Sequence, residues 1–186
     1  VAYPFSYQSD DLVLLSPYMK EAGGRAAADL KDWIGGVWRQ GEPIQTYGLL
    51  QRLTTAIFET MTYQVREEPG VQSASATLVR RTGSCRDFAL LLMEAARELG
   101  LAARFVTGYL HAPLSTDAGA THAWAEIYLP GAGWKGFDPT SGAIVGADHI
   151  PVAVARLPES VPPVAGSFRG SANASLEVGV WVSRCA

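Results

Sequence analysis

The sequence predicts an α+β fold in which helices occupy residues 1–100 and strands and loops occupy residues 101–186. Two observations predict it. Apolar residues recur at helical spacing before Gly100, and the period changes to two after it, as in HAWAEIYL at 122–129. Because the helices precede the strands and do not alternate with them, an α+β fold is favoured over repeated βαβ units. We expect one domain that spans the whole chain, 1–186.

Helices are predicted where apolar residues recur every three or four positions. The strongest covers 84–99, where the apolar side chains form one stripe and Gly100 suits a left-handed helix end. Gly35 and Gly36 predict a break in the first helix, because glycine weakens a helix interior. The predicted helices are 25–40, 46–62, 73–81 and 84–99, and REEPG at 66–70 is a predicted turn.

Strands are predicted where side chains alternate between two faces. The PGAG turn at 130–133 joins two of them into a hairpin. The stretch 141–163 is rich in glycine and proline and is therefore predicted to be an irregular connection. The predicted strands are 102–109, 122–129, 134–138, 164–169 and 176–183.

The composition narrows the function classes. The chain has 186 residues, 48% hydrophobic and 18% charged, which excludes a disordered segment. A net charge of −3 argues against a nucleic-acid binder or a binder of anionic membranes, since both are usually basic. No run approaches the roughly 18 apolar residues of a transmembrane helix, and no signal peptide is visible. We therefore expect a cytoplasmic protein, or a fragment of a longer one because residue 1 is Val.

Three residues fall where a thiol-based active site needs them. Cys85 begins the strongest helix, whose N-terminal partial charge favours a thiolate. His122 opens a strand and can hold the thiol proton, and Asp138 ends the next strand and can fix the imidazole. The backbone N–H of Cys85 can stabilise an oxyanion. Tyr47 and Tyr63 remain open as the second oxyanion donor.

Four motifs stand in order in GSCRDFALLLMEAARELGLAARFVTGYL (83–110) and THAWAEIYLPGAGWKGFDPTSG (121–142). They are Gly-x-Cys-x-Asp-aromatic, Gly-x-x-Ala-Arg-x-Val-x-Gly-Tyr, His-Ala-Trp-x-Glu and Gly-Trp-x-x-Phe-Asp-Pro-Thr. Together they resemble the transglutaminase-like superfamily, above all its bacterial members described as cysteine peptidases. The resemblance implies a papain-like core, with the nucleophile helix on an antiparallel sheet. It also implies that Cys85 is the nucleophile, His122 the base and Asp138 the residue that orients it.

The expected function is thiol-dependent acyl transfer on amide bonds of a protein or peptide substrate. Hydrolysis by a cysteine peptidase or amidase is favoured, because no acceptor site for an amine is evident. Crosslinking of a glutamine to an amine is the alternative, and a binding module without catalysis is the alternative of another class. No cofactor and no metal is expected, since one Cys, one His and one Asp match no zinc pattern and no calcium loop is visible.

Several residues around these motifs allow two interpretations. Asp87 either stabilises the helix start or anchors the site, and its candidate partners are Arg80, Arg81, Arg86 and Arg104. Trp124 either shields the His–Asp pair or packs in the core, and Glu126 is expected to form a structural salt bridge.

Two further residues are weighed as minor alternatives. His111, in the long loop 111–121, is an alternative base. Cys185 is expected to be incidental, although a disulfide between Cys85 and Cys185 stays open.

Overall fold

A computed structural model describes residues 1–20, 28–66, 68–111, 121–167, 169–170, 175 and 179–183. The helices in these ranges are α1 Ser9–Met19, α2 Ala28–Val37, α3 Thr46–Thr60, α4 Ala74–Arg80 and α5 Cys85–Glu98. The strands are β1 Ala2–Tyr3, β2 Ile44–Gln45, β3 Thr62–Tyr63, β4 Thr82–Gly83, β5 Ala103–Leu110, β6 Thr121–Leu129, β7 Gly133–Asp138, β8 Ala143–Ile144 and β9 His149–Ala155. The α+β class predicted from the sequence is confirmed.

The main sheet has five antiparallel strands in the order β8-β7-β6-β5-β9. β6 and β7 form the predicted hairpin, and β6 also pairs with β5 so that Gly108 faces His122. Two small pairs lie outside this sheet, β1 with β2 and β3 with β4. The parallel β3–β4 pair sets Tyr63 beside Gly83, two residues before Cys85.

Helix α5 lies at the centre of the molecule. It packs on β6 and β5 and is flanked by α3 and α4, so nearly all of its residues are buried. Small side chains such as Ala95 and Ala96 let it approach the sheet closely, and Phe88, Leu91 and Leu92 fill the space between the layers. Packing of this kind fixes the position of the N-terminal end of α5, where Cys85 lies.

The helices of the first half differ from the prediction in two places, and the short strands β1 to β4 there were not predicted. α2 runs without a break through Gly35 and Gly36, and residues 25–27 of the predicted helix lie outside the described ranges. α1 was not predicted, because its only buried residue is Leu15 and Pro17 interrupts its pattern. Neither difference moves the elements that carry the predicted site.

The second half contains a larger error. The stretch 141–163, predicted to be irregular, contains β9, a seven-residue strand paired with β5. Pro151 argued against a strand in the sequence analysis, because proline cannot donate a backbone hydrogen bond. Proline is tolerated on an edge strand, where one side needs no ladder hydrogen bonds. The predicted strand 164–169 is wrong in its described residues, since β9 takes the place beside β5. Of the predicted strand 176–183, residues 176–178 lie outside the described ranges and Val180 forms an isolated bridge.

Within the described ranges, no helix combines the length and the apolar character that crossing a membrane would require.

Candidate active site

Cys85 is the first residue of α5 and is 7% exposed. Ser84 precedes the helix in extended conformation and its backbone N–H and hydroxyl both donate to Asp87 Oδ2, at 2.8 and 3.0 Å. This closes the first turn around the carboxylate. Gly83 is required for it, because a Cβ at that position would lie 2.9 Å from Asp87 Cβ. The local sequence thus fixes the direction in which the thiol leaves the helix.

Asp87 is fully buried and its charge is matched by a partner that the sequence did not indicate. Arg66 Nη1 donates to Asp87 Oδ1 at 2.9 Å, and the backbone N–H of Gln72 donates to the same oxygen at 2.7 Å. The four arginines proposed from the sequence do not form this ion pair. Arg86 instead donates to the carbonyls of Pro158 and Val161. Of the two interpretations of Asp87, the anchoring of the helix start is what these contacts describe.

His122 and Asp138 lie side by side at the ends of neighbouring strands. His122 Nε2 is 2.9 Å from Asp138 Oδ2, and the carboxylate is fully buried. The other oxygen, Oδ1, accepts the backbone N–H of Thr140 at 2.9 Å, and Ser141 Oγ donates to Oδ2 at 2.8 Å. Burial alone would raise the pKa of Asp138, but the hydrogen bonds from His122, His149 and Ser141 and the charge of His122 hold it well below its ordinary value.

The thiol of Cys85 faces the same imidazole. Burial lowers the pKa of His122, but hydrogen bonding and charge from Asp138 and from Cys85 outweigh it and raise this pKa to about 9. Because Nε2 is taken by Asp138, Nδ1 is the ring nitrogen left for the thiol. The structure therefore brings together the three residues singled out from the sequence, and the raised pKa makes the imidazolium the favoured form of His122 at neutral pH.

A second histidine, missed in the sequence analysis, also contacts Asp138. His149 Nε2 lies 3.1 Å from Asp138 Oδ2, and the ring stands edge-on to Trp124 with centroids 5.2 Å apart. It begins β9, which was predicted to be irregular. The alternation of Ile150, Val152 and Val154 after it was the signal that could have placed this histidine on a strand beside the site.

The atoms His122 Nε2, Asp138 Oδ2 and His149 Nε2 lie within 4.8 Å of one another and could hold a metal ion. The hydrogen bonds argue for a different use. The backbone N–H of Gly146 donates to His149 Nδ1 at 3.3 Å, so the ring proton of neutral His149 lies on Nε2 and points at Asp138. A metal-bound histidine normally donates its other ring nitrogen to an acceptor, which is the opposite arrangement. The donor set fits a hydrogen-bonded carboxylate better than a metal centre.

The remaining candidates take other positions. His111 Nδ1 lies 3.0 Å from Asp148 Oδ1 and does not join the His122 cluster. Glu126 forms the expected structural salt bridge, with Arg104 Nη2 2.6 Å from its carboxylate. Trp124 is fully buried against both histidine rings. Cys85 forms no disulfide among the described residues, and Cys185 lies outside them.

Tyr47 and Tyr63, the two candidates for the second oxyanion donor, lie in different surroundings. Tyr47 packs its ring on Phe137, with centroids 5.3 Å apart. Tyr63 lies on β3 beside Gly83, and burial together with the negative charge of Cys85 raises its pKa. Tyr63 is therefore kept as the candidate second oxyanion donor that an interaction with Cys85 supports.

A groove of about 280 Å³ adjoins the site. It is bordered by Thr121 and Gly108, the chain neighbour and the sheet partner of His122. Its opposite wall comes from β9 and from residues 160–163. The groove therefore reaches the neighbours of His122.

Among solved structures, the fold matches that of a Cytophaga hutchinsonii protein whose name calls it a "putative cysteine protease". That match has a TM-score of 0.66, 22% identity and coverage of 96% of this chain and 61% of that one. Legionella pneumophila LapG matches with a TM-score of 0.51 and 16% identity, over 68% of this chain and 71% of LapG. At these identities the likeness concerns the fold.

Sequence comparisons identify the family. The uncharacterized protein Rv2569c of Mycobacterium tuberculosis is 34% identical over 145 residues, or 72% of this chain and 46% of the relative. The uncharacterized protein ML0607 of Mycobacterium leprae is 32% identical over 123 residues, or 63% and 43%. The chain thus spans less than half the length of these curated relatives. Residues 39–139 match the model of the transglutaminase-like superfamily, to which this chain belongs.

Proposed function

We propose that the protein is a thiol-dependent acyl-transfer enzyme that acts on amide bonds of a protein or peptide substrate. One observation carries the proposal. His122 Nε2 lies 2.9 Å from the buried carboxylate of Asp138. The same ring interacts with the thiol of Cys85 at the N-terminal end of α5, and this interaction raises the pKa of His122. A nucleophile, a base and a residue that orients the base are the three parts that acyl transfer by a thiol requires.

The reaction divides into two steps. The sulfur of Cys85 attacks the carbonyl carbon, and its proton resides on His122 Nδ1. The carbon–nitrogen bond then breaks as His122 returns that proton to the leaving amine, which leaves a thioester on Cys85. In the second step water or another amine attacks the thioester, gives its proton to His122, and the sulfur leaves. Throughout, Asp138 accepts the Nε2–H of His122 and keeps the ring in one orientation.

The negative charge on the attacked oxygen needs donors. The backbone N–H of Cys85 is among the first four of α5, which have no acceptor within the helix. It is one natural donor, supported by the partial positive charge of the helix end. The phenol of Tyr63 is the candidate for the second, because β3 pairs with Gly83, two residues before Cys85, and the charge of Cys85 raises the pKa of Tyr63.

We favour hydrolysis, with a peptide or protein chain as substrate. The groove of about 280 Å³ bordered by Thr121 and Gly108, the neighbours of His122, is the candidate place for part of such a chain. The similarity in fold to a protein named as a cysteine protease points the same way. Transfer to an amine uses the same three residues, so water access and amine binding decide between the two outcomes.

The proposal is tested by labelling and by product mass. At pH 7, iodoacetamide should modify Cys85 of the folded protein, and Cys85→Ala should lose both labelling and turnover. Cys185→Ala is the matched control and should keep both. A glutamine-containing peptide incubated with a primary amine distinguishes the reactions: a cleaved or deamidated product indicates hydrolysis, and gain of the amine with loss of ammonia indicates transfer. A Cys85 that stays unmodified at pH 7 would remove the basis of the proposal.

A further inference from the structure

We propose that His149 is a positioning residue for the His122–Asp138 pair and that it acts through a hydrogen bond to Asp138. The inference rests on the proposed function, and it adds a residue that the four sequence motifs do not contain. His149 Nε2 lies 3.1 Å from Asp138 Oδ2, the same oxygen that faces His122. The carboxylate is therefore held between two imidazoles.

The direction of the hydrogen bond follows from the other side of the ring. The backbone N–H of Gly146 points at His149 Nδ1 at 3.3 Å and can only donate. Nδ1 must then carry the lone pair, so Nε2 carries the hydrogen and donates to Asp138. In this tautomer the ring of His149 donates its Nε2–H to Asp138 and supports the charge of that carboxylate.

The fold brings His149 to this position across one intervening strand. β5 lies between β6, which carries His122, and β9, which begins with His149. At Gly108 the register of β5 and β9 shifts, and a Cβ there would overlap the carbonyl oxygen of Ile150 and lie 3.0 Å from Trp124 Cη2. Only glycine permits so close an approach. The close approach of β9 to β5 at Gly108 places the His149 ring against Trp124 and within hydrogen-bond distance of Asp138.

The environment makes this hydrogen bond important. Asp138 is fully buried, and the side chain of His149 is 8% exposed. Four donors serve the two carboxylate oxygens: His122, His149, Ser141 and the backbone of Thr140. Thr140 and Ser141 lie only two and three residues after Asp138 and move with it, whereas His149 is fixed by a different strand. His149 is thus the donor that ties the carboxylate to the sheet and prevents it from turning away from His122.

Three variants separate the hydrogen bond from the bulk of the ring. His149→Phe keeps a ring against Trp124 but removes the donor, and His149→Ala removes both. His149→Gln places an amide N–H near the position of Nε2 and should rescue the hydrogen bond. His111→Phe is the matched control, because His111 pairs with Asp148 outside this cluster. Thermal unfolding of each variant establishes that it is folded.

The readouts are the rate of Cys85 alkylation by iodoacetamide at pH 7.5, the turnover of a peptide substrate, and the ¹⁵N spectrum of the histidine rings. We expect the Phe and Ala variants to lose about tenfold in both rates, as for loss of a hydrogen bond to a buried charged group, and the Gln variant to stay within about twofold of the wild type. The ring spectrum should show His149 as the neutral Nε2–H tautomer.

Other outcomes overturn the inference. Unchanged rates in the Phe and Ala variants would show that the contact does not position Asp138. Losses in the Ala and Gln variants with unchanged rates in the Phe variant would show that the ring and not its hydrogen bond matters. A Gln variant as slow as the Phe and Ala variants would show that an amide donor at this place does not position Asp138, and an Nδ1–H tautomer would contradict the assigned donor. Failure of the proposed function is distinct, because the wild-type Cys85 would then alkylate no faster than in the His122→Ala variant.

Discussion

Arg66 Nη1 lies 2.9 Å from Asp87 Oδ1, and this ion pair joins the segment before α4 to the first turn of α5. Asp87 is two residues from Cys85, so an unpaired carboxylate there would oppose a thiolate. Arg66 neutralises that charge, and the other carboxylate oxygen accepts from Ser84 at the helix start. The pair therefore allows a buried carboxylate to fix the direction of the Cys85 side chain without repelling a thiolate there.

Removal of Asp87 should destabilise the fold strongly. Asp87→Ala leaves Arg66, whose side chain is 15% exposed, without its buried partner and frees the N–H groups of Gln72 and Ser84. Loss of one member of such a pair costs about 3–5 kcal/mol. We expect the free energy of unfolding, measured by urea denaturation, to fall by about 3 kcal/mol.

Glu68→Ala is the matched control for this prediction. Glu68 also contacts Arg66, at 3.5 Å, but its side chain is 73% exposed. Exposed ion pairs contribute at most about 1 kcal/mol, so this variant should unfold within about 0.5 kcal/mol of the wild type. Equal losses of unfolding free energy in the two variants would mean that the buried ion pair with Asp87 stabilises the fold no more than the exposed one with Glu68.

Stability should also depend on pH through His122. Its folded-state pKa of about 9 lies above its ordinary value of about 6.5, so the folded protein holds this proton more tightly than the unfolded chain. The stabilisation is fully present below about pH 6.5 and is lost as the pH rises through 9. At about 1.4 kcal/mol for each pKa unit it amounts to roughly 3 kcal/mol.

Urea denaturation of the wild type and of His122→Gln at pH 6, 7.5 and 9.5 measures this contribution. The difference between the two proteins cancels the titration of groups that do not interact with His122. It should be largest at pH 6 and shrink towards pH 9.5. A difference that stays constant across the series would contradict an imidazolium held between Asp138 and Cys85.

The parts of the site that the sequence predicted are those set by local pattern. Cys85 follows from the helical period of α5, and His122 and Asp138 follow from strands joined by a short turn, since each position depends on residues close in the chain. Arg66 and His149 were missed for the opposite reason. Arg66 contacts Asp87 across 21 residues of the chain. The role of His149 depends on which strand pairs with the free side of β5. Neither contact can be predicted from the local spacing of apolar residues.

Tyr63 provides the last prediction, which concerns the second donor to the oxyanion. The charge of Cys85 raises the pKa of the Tyr63 phenol, and β3 pairs Tyr63 with Gly83. A donor that acts only once charge develops lowers the barrier without tightening substrate binding, and removal of one costs about 10²–10³ in turnover at a water-excluded site. Since Tyr63 is 51% exposed, Tyr63→Phe should lower kcat by a smaller factor, on the order of tenfold, with KM little changed.

Tyr47→Phe is the control, because the ring of Tyr47 packs on Phe137 and phenylalanine preserves that contact. Its kcat should stay within about twofold of the wild type. Steady-state kinetics on one peptide substrate, with iodoacetamide titration of Cys85 to count active molecules, measures both variants on the same scale. If Tyr63→Phe instead raised KM at constant kcat, the phenol would bind substrate and not the transition state. The second donor would then have to be sought in the backbone around Cys85.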